Sequence, residues 1–402
     1  MEIVFIGTLE PFPGGSGTVN GQVVRGLTQR GHSITAVSPL GPLAGARAAV
    51  PSPADDDARF PGARIRRYDV PFAEVEPHRT DQAFIDRERE AIATTLLELA
   101  PAVPDVVLVG RETFARHVPE ALPWAEKLPV VVAAHSSDAH GALSGNRHPT
   151  AAENLLARIA ACTRLVLVAH HQRASYEVLG VPITVVPNGV DLVAFHPAVS
   201  GDRRAGAQED IVFIHASNLK DAKRPLDLVA AAALALRSEP RLYFLIAGDG
   251  PLAEPMRQAA RNASIEHRFA FTGWHPRAEM PDMFRQADVA VLMSGHESMP
   301  CALLEGMASG LPTIATDIPA SREALIDGET GFLYPAGEVE RLASLMVDLA
   351  AHSSRRTRAG RAARVAVENR GVETMVTGYE SVLSFVVAES ARDRRSTVAG
   401  GH

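Results

Sequence analysis

The stretch His296-Glu297-Ser298-Met299-Pro300-Cys301-Ala302-Leu303-Leu304-Glu305-Gly306 puts two carboxylates beside a helix start. Proline suits the first position of a helix, because its fixed φ is already helical and its missing N–H has no intrahelical partner to lose there. With Pro300 at that position and Met299 just before it, the amides of Cys301, Ala302 and Leu303 point into the preceding loop. Such amides, helped by the helix dipole, donate to a phosphate or a sugar hydroxyl. Glu297 stands in the loop and Glu305 lies one to two turns inside the helix. Carboxylates accept hydrogen bonds from hydroxyls, so the pair can hold two separate points of one elongated ligand, such as a sugar and a ribose. As isolated residues the same glutamates are a solvated loop acid and a surface helix acid.

A site of this kind needs strands that end beside it. Ile3 to Ile6, Ile34 to Val37, Val106 to Val109, Val130 to Ala134 and Leu165 to Val168 are short apolar runs separated by helical patterns. Strands buried on both faces have this composition, and their alternation with helices predicts a parallel sheet. Ile211 to His215, Leu242 to Ala247, Phe269 to Phe271, Val289 to Leu292 and Thr313 to Ala315 repeat the architecture without repeating the sequence. The 402 residues are about twice what one core organises. An α/β chain of two Rossmann-like domains follows, with Pro187-Asn188-Gly189-Val190-Asp191 and Pro197 to Gly206 as hinge and linker. The expected divisions are 1–190, 191–371, a final apolar helix at 372–389 and a disordered tail at 390–402. Gly41 to Pro61, rich in Pro, Ala and Asp, is expected to be a loop.

Composition narrows the partners. A net charge of −7 without a long Lys/Arg run argues against a nucleic-acid or anionic-membrane surface. Cys162 and Cys301 are far apart and lack zinc-type spacing, so both are expected to be packing residues in a reducing compartment. The first strand begins at Met1, and no run reaches the about 18 apolar residues of a membrane span. The expectation is a cytoplasmic monomer or homodimer without a targeting segment.

Glu297, seven intervening residues, Glu305, then Gly310-Leu311-Pro312-Thr313-Ile314-Ala315-Thr316, Glu323 and Gly328-Glu329-Thr330-Gly331-Phe332-Leu333 together resemble the nucleotide-sugar signature of the GT4 family of retaining glycosyltransferases. The resemblance continues through Gly14-Gly15-Ser16-Gly17, Arg30-Gly31-His32, Pro187-Asn188-Gly189-Val190-Asp191 and Gly248-Asp249-Gly250-Pro251, over nearly the whole chain. It implies the GT-B fold: two Rossmann-like domains with parallel sheets and a cleft between them, and a C-terminal helix crossing back to the first domain. The first domain would mainly hold the acceptor and the second the donor. By position, Glu297 resembles the glutamate that contacts the transferred sugar and Glu305 the one that grips the ribose. His135 matches a histidine near the anomeric centre, where ring or backbone favours developing positive charge; as a bare histidine it is a packed strand-end residue. Gly15, Ser16 and Gly17 would let the backbone approach the donor phosphates, glycine having no Cβ.

The segment His215 to Pro225 departs from the pattern. Most members of the family carry arginine where Asn218 stands and lysine where Lys223 stands, two cations that neutralise the leaving diphosphate. Lys223 is kept and the arginine is not. Ser217-Asn218 and Lys223-Arg224 resemble the subgroup that joins N-acetylglucosamine to malate in bacillithiol biosynthesis. Lys220 and Arg224 fit either a share of the phosphate charge or a solvated loop.

The likeness thus implies transfer of a sugar from UDP-N-acetylglucosamine or a related nucleotide-sugar to a small polar acceptor such as a hydroxy acid, cyclitol, sugar or natural-product intermediate, with retention. No Asp-x-Asp stands at a strand end, so neither an essential divalent metal nor another cofactor is expected. Gly250 and Trp274 would belong to the base pocket, Trp274 fitting either stacking on the base or packing in a core. Thr18, Arg111, Ser136, Asp138 and His140 lie near predicted strand ends and are candidate acceptor contacts, Thr18 and Arg111 foremost, each fitting equally a loop or salt-bridge residue. Two rivals remain: a non-catalytic sugar-nucleotide-binding protein on the same fold, and a nicotinamide-dependent oxidoreductase. For the latter, Gly15, Gly17 and Gly21 have the wrong spacing and no acid ends the strand Thr35 to Ser38.

Overall fold

A computed structural model of the chain describes residues 1–11, 14–40, 52–68, 82–99, 103–118, 128–135, 149–199 and 209–399. Ser136, Asp138 and His140 lie outside the described residues. The chain divides into two units: the described residues up to Asn188 together with those from Glu373 onward form one, and Gly189–Val372 form the other.

The sheet of the first unit contains β1 (Glu2–Ile6), β2 (Ser33–Pro39), β3 (Arg64–Tyr68), β4 (Val106–Val109), β5 (Val130–Ala134), β6 (Arg164–Leu167) and β7 (Ile183–Val185). Their order is β3-β2-β1-β4-β5-β6-β7, and every pairing is parallel. Val4, Ile6, Val107, Val109, Val132, Leu165 and Leu167 build its core. Burying each contributes on the order of 1.5–3 kcal/mol. The second unit repeats the plan with β8 (Ile211–Ala216), β9 (Leu242–Ala247), β10 (Phe269–Gly273), β11 (Val289–Leu292), β12 (Thr313–Thr316) and β13 (Gly331–Tyr334), ordered β10-β9-β8-β11-β12-β13. Its core holds Phe213, Phe244, Ile246, Val291, Ile314 and Phe332. In each unit the crossovers reverse direction beside the first strand, between β1 and β4 and between β8 and β11. Loops at the carboxyl ends of strands flanking such a reversal diverge and leave room for a ligand.

Two expectations are corrected. The stretch Gly41 to Pro61 is not all loop, because a helix spans Pro53–Arg59. Ser52 Oγ accepts from the Asp55 amide at 3.2 Å, the Asp55 carboxylate accepts from the Ser52 amide at 2.8 Å, and Pro53 occupies the first turn. This reciprocal cap outweighs the loop-like composition. The tail expected to be disordered from residue 390 is helical through Ala399, in a helix that starts at Val372. No Gly or Pro interrupts Ser390 to Ala399, and adding residues to an already packed helix avoids a new nucleation step. Among the described residues, no helix is long and apolar enough to cross a membrane.

Candidate functional site

In the second unit, the chain leaving β8 and the chain leaving β11 carry the chemistry. The Lys223 ammonium forms an ion pair with Glu297 Oε1, and Ser294 Oγ donates to the same oxygen at 2.7 Å. The two loops are also joined through the backbone, the Gly295 amide donating to the Ala222 carbonyl at 3.0 Å. Thr316 Oγ1, at the end of β12, donates to the Ser294 carbonyl at 2.6 Å. A lysine and a glutamate 74 residues apart are thus fixed where the sheet leaves room for a ligand.

Asn218 lies two residues beyond β8, its carbonyl accepting from the Lys220 amide at 2.7 Å. The next residue, Leu219, bonds to the Asp249 carbonyl at 3.0 Å, which brings Gly250 against this loop. Gly250 has φ +154°, and a Cβ there would lie 2.8 Å from the Leu219 carbonyl oxygen, so only glycine allows the two loops to meet. Trp274 is half-buried just beyond β10.

The helix Cys301–Ala308 follows Glu297, but Pro300 is its extended cap residue rather than its first turn. The Pro300 carbonyl accepts from the Leu303 amide at 3.2 Å, so Leu303 is not one of the open amides expected from the sequence. Met299 and the Leu303 side chain are buried. Burial and the nearby Glu305 push the Cys301 thiol up to about 12, so it stays protonated and packs rather than reacts. Glu305 is 3% exposed, and its Oε1 is paired with Arg277. The Arg277 guanidinium also lies 4.8 Å over the Phe195 ring. A surface helix acid is thereby excluded, and the carboxylate is held in one orientation.

Arg277 escaped the sequence reading because nothing at local spacing joins residues 277 and 305. His215 escaped as well, although a histidine closing the apolar run Ile211 to Ile214 was a visible signal. Its Nδ1–H donates to the Val291 carbonyl at 3.0 Å, so Nε2 must be the acceptor for Ser217 Oγ–H at 2.8 Å. Burial pulls its pKa down to about 4, with the Lys223 charge acting in the same direction.

In the first unit, Gly15, Ser16, Gly17 and Thr18 form the first turn of the helix Gly15–Gln29. Asn20 on that helix donates at 2.9 Å to both the Thr8 and the Gly110 carbonyls, tying the chain after β1 to the chain after β4. Ser16 and Thr8 hydroxyls are 3.3 Å apart. Arg67 of β3 donates to the Leu9 and Glu10 carbonyls and to Ser38 Oγ, and is paired with buried Asp56 at 2.7 Å.

Arg111 follows Gly110 directly. Burial lowers its pKa, while Glu112 and Glu88 oppose that shift. His135 directly follows β5, and burial followed by the Arg111 charge pulls its pKa down to about 3, so the imidazole is neutral. Gln172, also missed from the sequence, donates to the Ala134 carbonyl at 3.3 Å and accepts from the Val168 and Ala169 amides at 3.0 and 3.1 Å. The fold therefore gathers Thr18, Arg111 and His135 at one end of the first sheet, and Lys223, Glu297, Asn218, Gly250 and Glu305 at one end of the second. Among the described residues, no cluster of three or more His, Cys, Asp or Glu side chains is arranged to hold a metal ion.

Residues 13–193 match the description Glycosyltransferase Family 4, and residues 202–366 match Glycosyl transferases group 1. The chain is 30% identical over 184 residues to N-acetyl-alpha-D-glucosaminyl L-malate synthase of Bacillus anthracis, covering 46% of this chain and 48% of that protein. It is 31% identical over 173 residues to an Escherichia coli UDP-Gal:alpha-D-GlcNAc-diphosphoundecaprenol alpha-1,3-galactosyltransferase, covering 41% and 44%. These matches span about half the length of each relative. The Anabaena HepE structure in complex with UDP and glucose superposes with a TM-score of 0.73 at 17% identity, covering 96% of this chain and 99% of that one. With consecutive matches over both units, the chain belongs to family 4 of the glycosyltransferases and has the GT-B fold.

Proposed function

We propose that the chain is a retaining glycosyltransferase that moves a sugar from UDP-N-acetylglucosamine, or a closely related nucleotide-sugar, to a small polar acceptor. The observation that carries this reading is the Lys223–Glu297 pair pinned between the loops after β8 and β11. Donor binding would exchange partners there: the diphosphate takes the Lys223 ammonium, and a sugar hydroxyl takes the released Glu297 carboxylate. Glu305, held by Arg277, would accept from the ribose hydroxyls, and the amides at the start of the helix Cys301–Ala308 would add to the anion site. Lys220 and Arg224 supply further charge where the usual arginine is replaced by Asn218, so turnover is expected to continue in the presence of EDTA. In the first unit, the family resemblance assigns the neutral His135 to the transferred sugar, and Thr18 and Arg111 are proposed for the acceptor.

Chemically, the bond from the anomeric carbon to the diphosphate oxygen breaks as the acceptor oxygen bonds to the same face. The acceptor proton passes to the departing phosphate oxygen. The protein supplies orientation and charge rather than a covalent intermediate. The donor choice draws on the Bacillus anthracis relative, named for N-acetylglucosamine and malate, and on the UDP bound in the Anabaena structure. A hydroxy acid is accordingly the first acceptor to offer, followed by cyclitols and sugars.

The test is UDP release from UDP-N-acetylglucosamine with such an acceptor panel, followed by the anomeric proton coupling of the product. An α-linked product, lost in Glu305→Gln, supports the proposal. A β-linked product rules out retention, and stabilisation by nicotinamide cofactors alone rules out the transferase reading. Glutamine is preferred to alanine because it keeps an oxygen for Arg277.

A further inference from the structure

The final helix, Val372–Ala399, is seated in the first unit more closely than apolar burial alone requires. A Cβ on Gly26 would lie 2.5 Å from Val376 Cγ2, and one on Gly378 would lie 2.8 Å from Val186 Cγ1. Glycines at these two points let the helix settle against the first helix and the chain after β7. Val376, Leu383 and Val386 are fully buried along it. At its rim, Arg30 pairs with Glu380 at 2.7 Å and Glu373 at 2.9 Å, and His32 meets Glu380 at 2.9 Å. One residue on the buried face is not purely apolar. Tyr379 is 1% exposed, and burying a phenol hydroxyl is unfavourable unless it finds a partner. Its partner is His135 Nε2, 3.4 Å away.

We propose that Tyr379 is a positioning residue for His135, so that the C-terminal helix sets the orientation of the imidazole. The inference rests on the reading of His135 as a catalytic group. Gln172 already holds the backbone before the ring, through the Ala134 carbonyl. Rotation of the side chain is the freedom that remains, and the Tyr379 hydroxyl removes it. Because the imidazole is uncharged, it has one donor and one acceptor nitrogen, and the Tyr379 hydroxyl, which can donate or accept, holds Nε2 in place in either tautomer and leaves Nδ1 for other partners.

Tyr379→Phe removes only the hydroxyl. In the full-length chain, with UDP release from UDP-N-acetylglucosamine as the assay, kcat is expected to fall about tenfold, the scale of one buried hydrogen bond. The KM for the donor and the melting temperature should stay near wild type. The His135 ring nitrogen signals, assigned by their loss in His135→Gln, should shift in NMR spectra. Those signals are read without turnover, so an unsuitable donor does not silence the test. Wild-type kcat and unmoved His135 signals in Tyr379→Phe, with His135→Gln inactive, overturn the inference and leave the functional reading intact. Full activity in His135→Gln overturns the catalytic role of His135, and the inference with it, while the transferase reading stands. A lower melting temperature with unmoved ring signals makes Tyr379 a packing residue and also overturns the inference.

Discussion

The two units share one strand order and solve different problems with it. The second holds its site together with charge: Lys223 on Glu297 and Arg277 on Glu305, between loops that only tertiary folding brings together. The first holds its site with uncharged hydrogen bonds from Asn20, Gln172 and Tyr379, around a neutral imidazole and one buried guanidinium. A shared topology supplies a place for a ligand, and the side chains at the strand ends decide its chemistry. A doubly charged diphosphate calls for exchangeable ion partners, whereas a sugar and a neutral or singly charged acceptor call for orientation.

The sharpest way to break this contrast is to remove the exchangeable cation. Lys223→Met is expected to lower kcat/KM about a thousandfold, the cost of losing one main stabiliser of leaving-group charge. Arg111→Met should instead raise the acceptor KM and leave the donor KM alone. Equal effects of the two changes on donor and acceptor would erase the division of labour.

Next in size is a buried ion pair of the first unit. Arg67 and Asp56 side chains are 7% and 5% exposed. Asp56→Ala would leave a buried guanidinium uncompensated, at about 3 kcal/mol of stability, measurable by urea unfolding. Because Arg67 also carries the Leu9 and Glu10 carbonyls, this loss should extend to the loop before the first helix. A change within a few tenths of a kcal/mol would show that the pair is dispensable.

The smallest effect comes from acid. His215 is neutral when folded, with its pKa down at about 4 against 6.5 for an ordinary histidine. The unfolded chain therefore binds more protons between those values. Stability is complete above about pH 6.5 and falls by up to about 1.4 kcal/mol per unit below it, on the order of 2 kcal/mol by pH 5. His135 acts in the same direction. His215→Asn, which keeps an amide for Val291 or Ser217, should flatten part of that slope in thermal melts from pH 7 to 5. An unchanged slope would assign the acid sensitivity elsewhere.

Most of this architecture was legible because central parallel strands are continuous apolar runs. The three strands not anticipated, β3, β7 and β13, are all edge strands, where one open side relaxes that demand. In β3, Arg64, Arg66 and Arg67 mask the buried Ile65 and Tyr68. The cap on Pro53–Arg59 was written in Ser52 and Asp55 but lost among prolines and alanines. At the site, Glu297, Glu305 and Lys223 stand in a readable signature. Arg277 and Tyr379 do not, since each meets its partner through tertiary folding at no fixed spacing, and Gln172, though it bonds the nearby Val168 and Ala169 amides, reaches the Ala134 carbonyl only through the fold. The offset of Pro300 by one position is below what residue preference alone can resolve.

The most direct test of the central claim is calorimetric titration of UDP into the wild-type chain, Lys223→Met and Arg111→Met. The account predicts that Lys223→Met weakens UDP about a hundredfold, the scale of a lost charge-assisted contact, while Arg111→Met binds as wild type. Unchanged affinity in Lys223→Met would contradict the assignment of the diphosphate to the second unit.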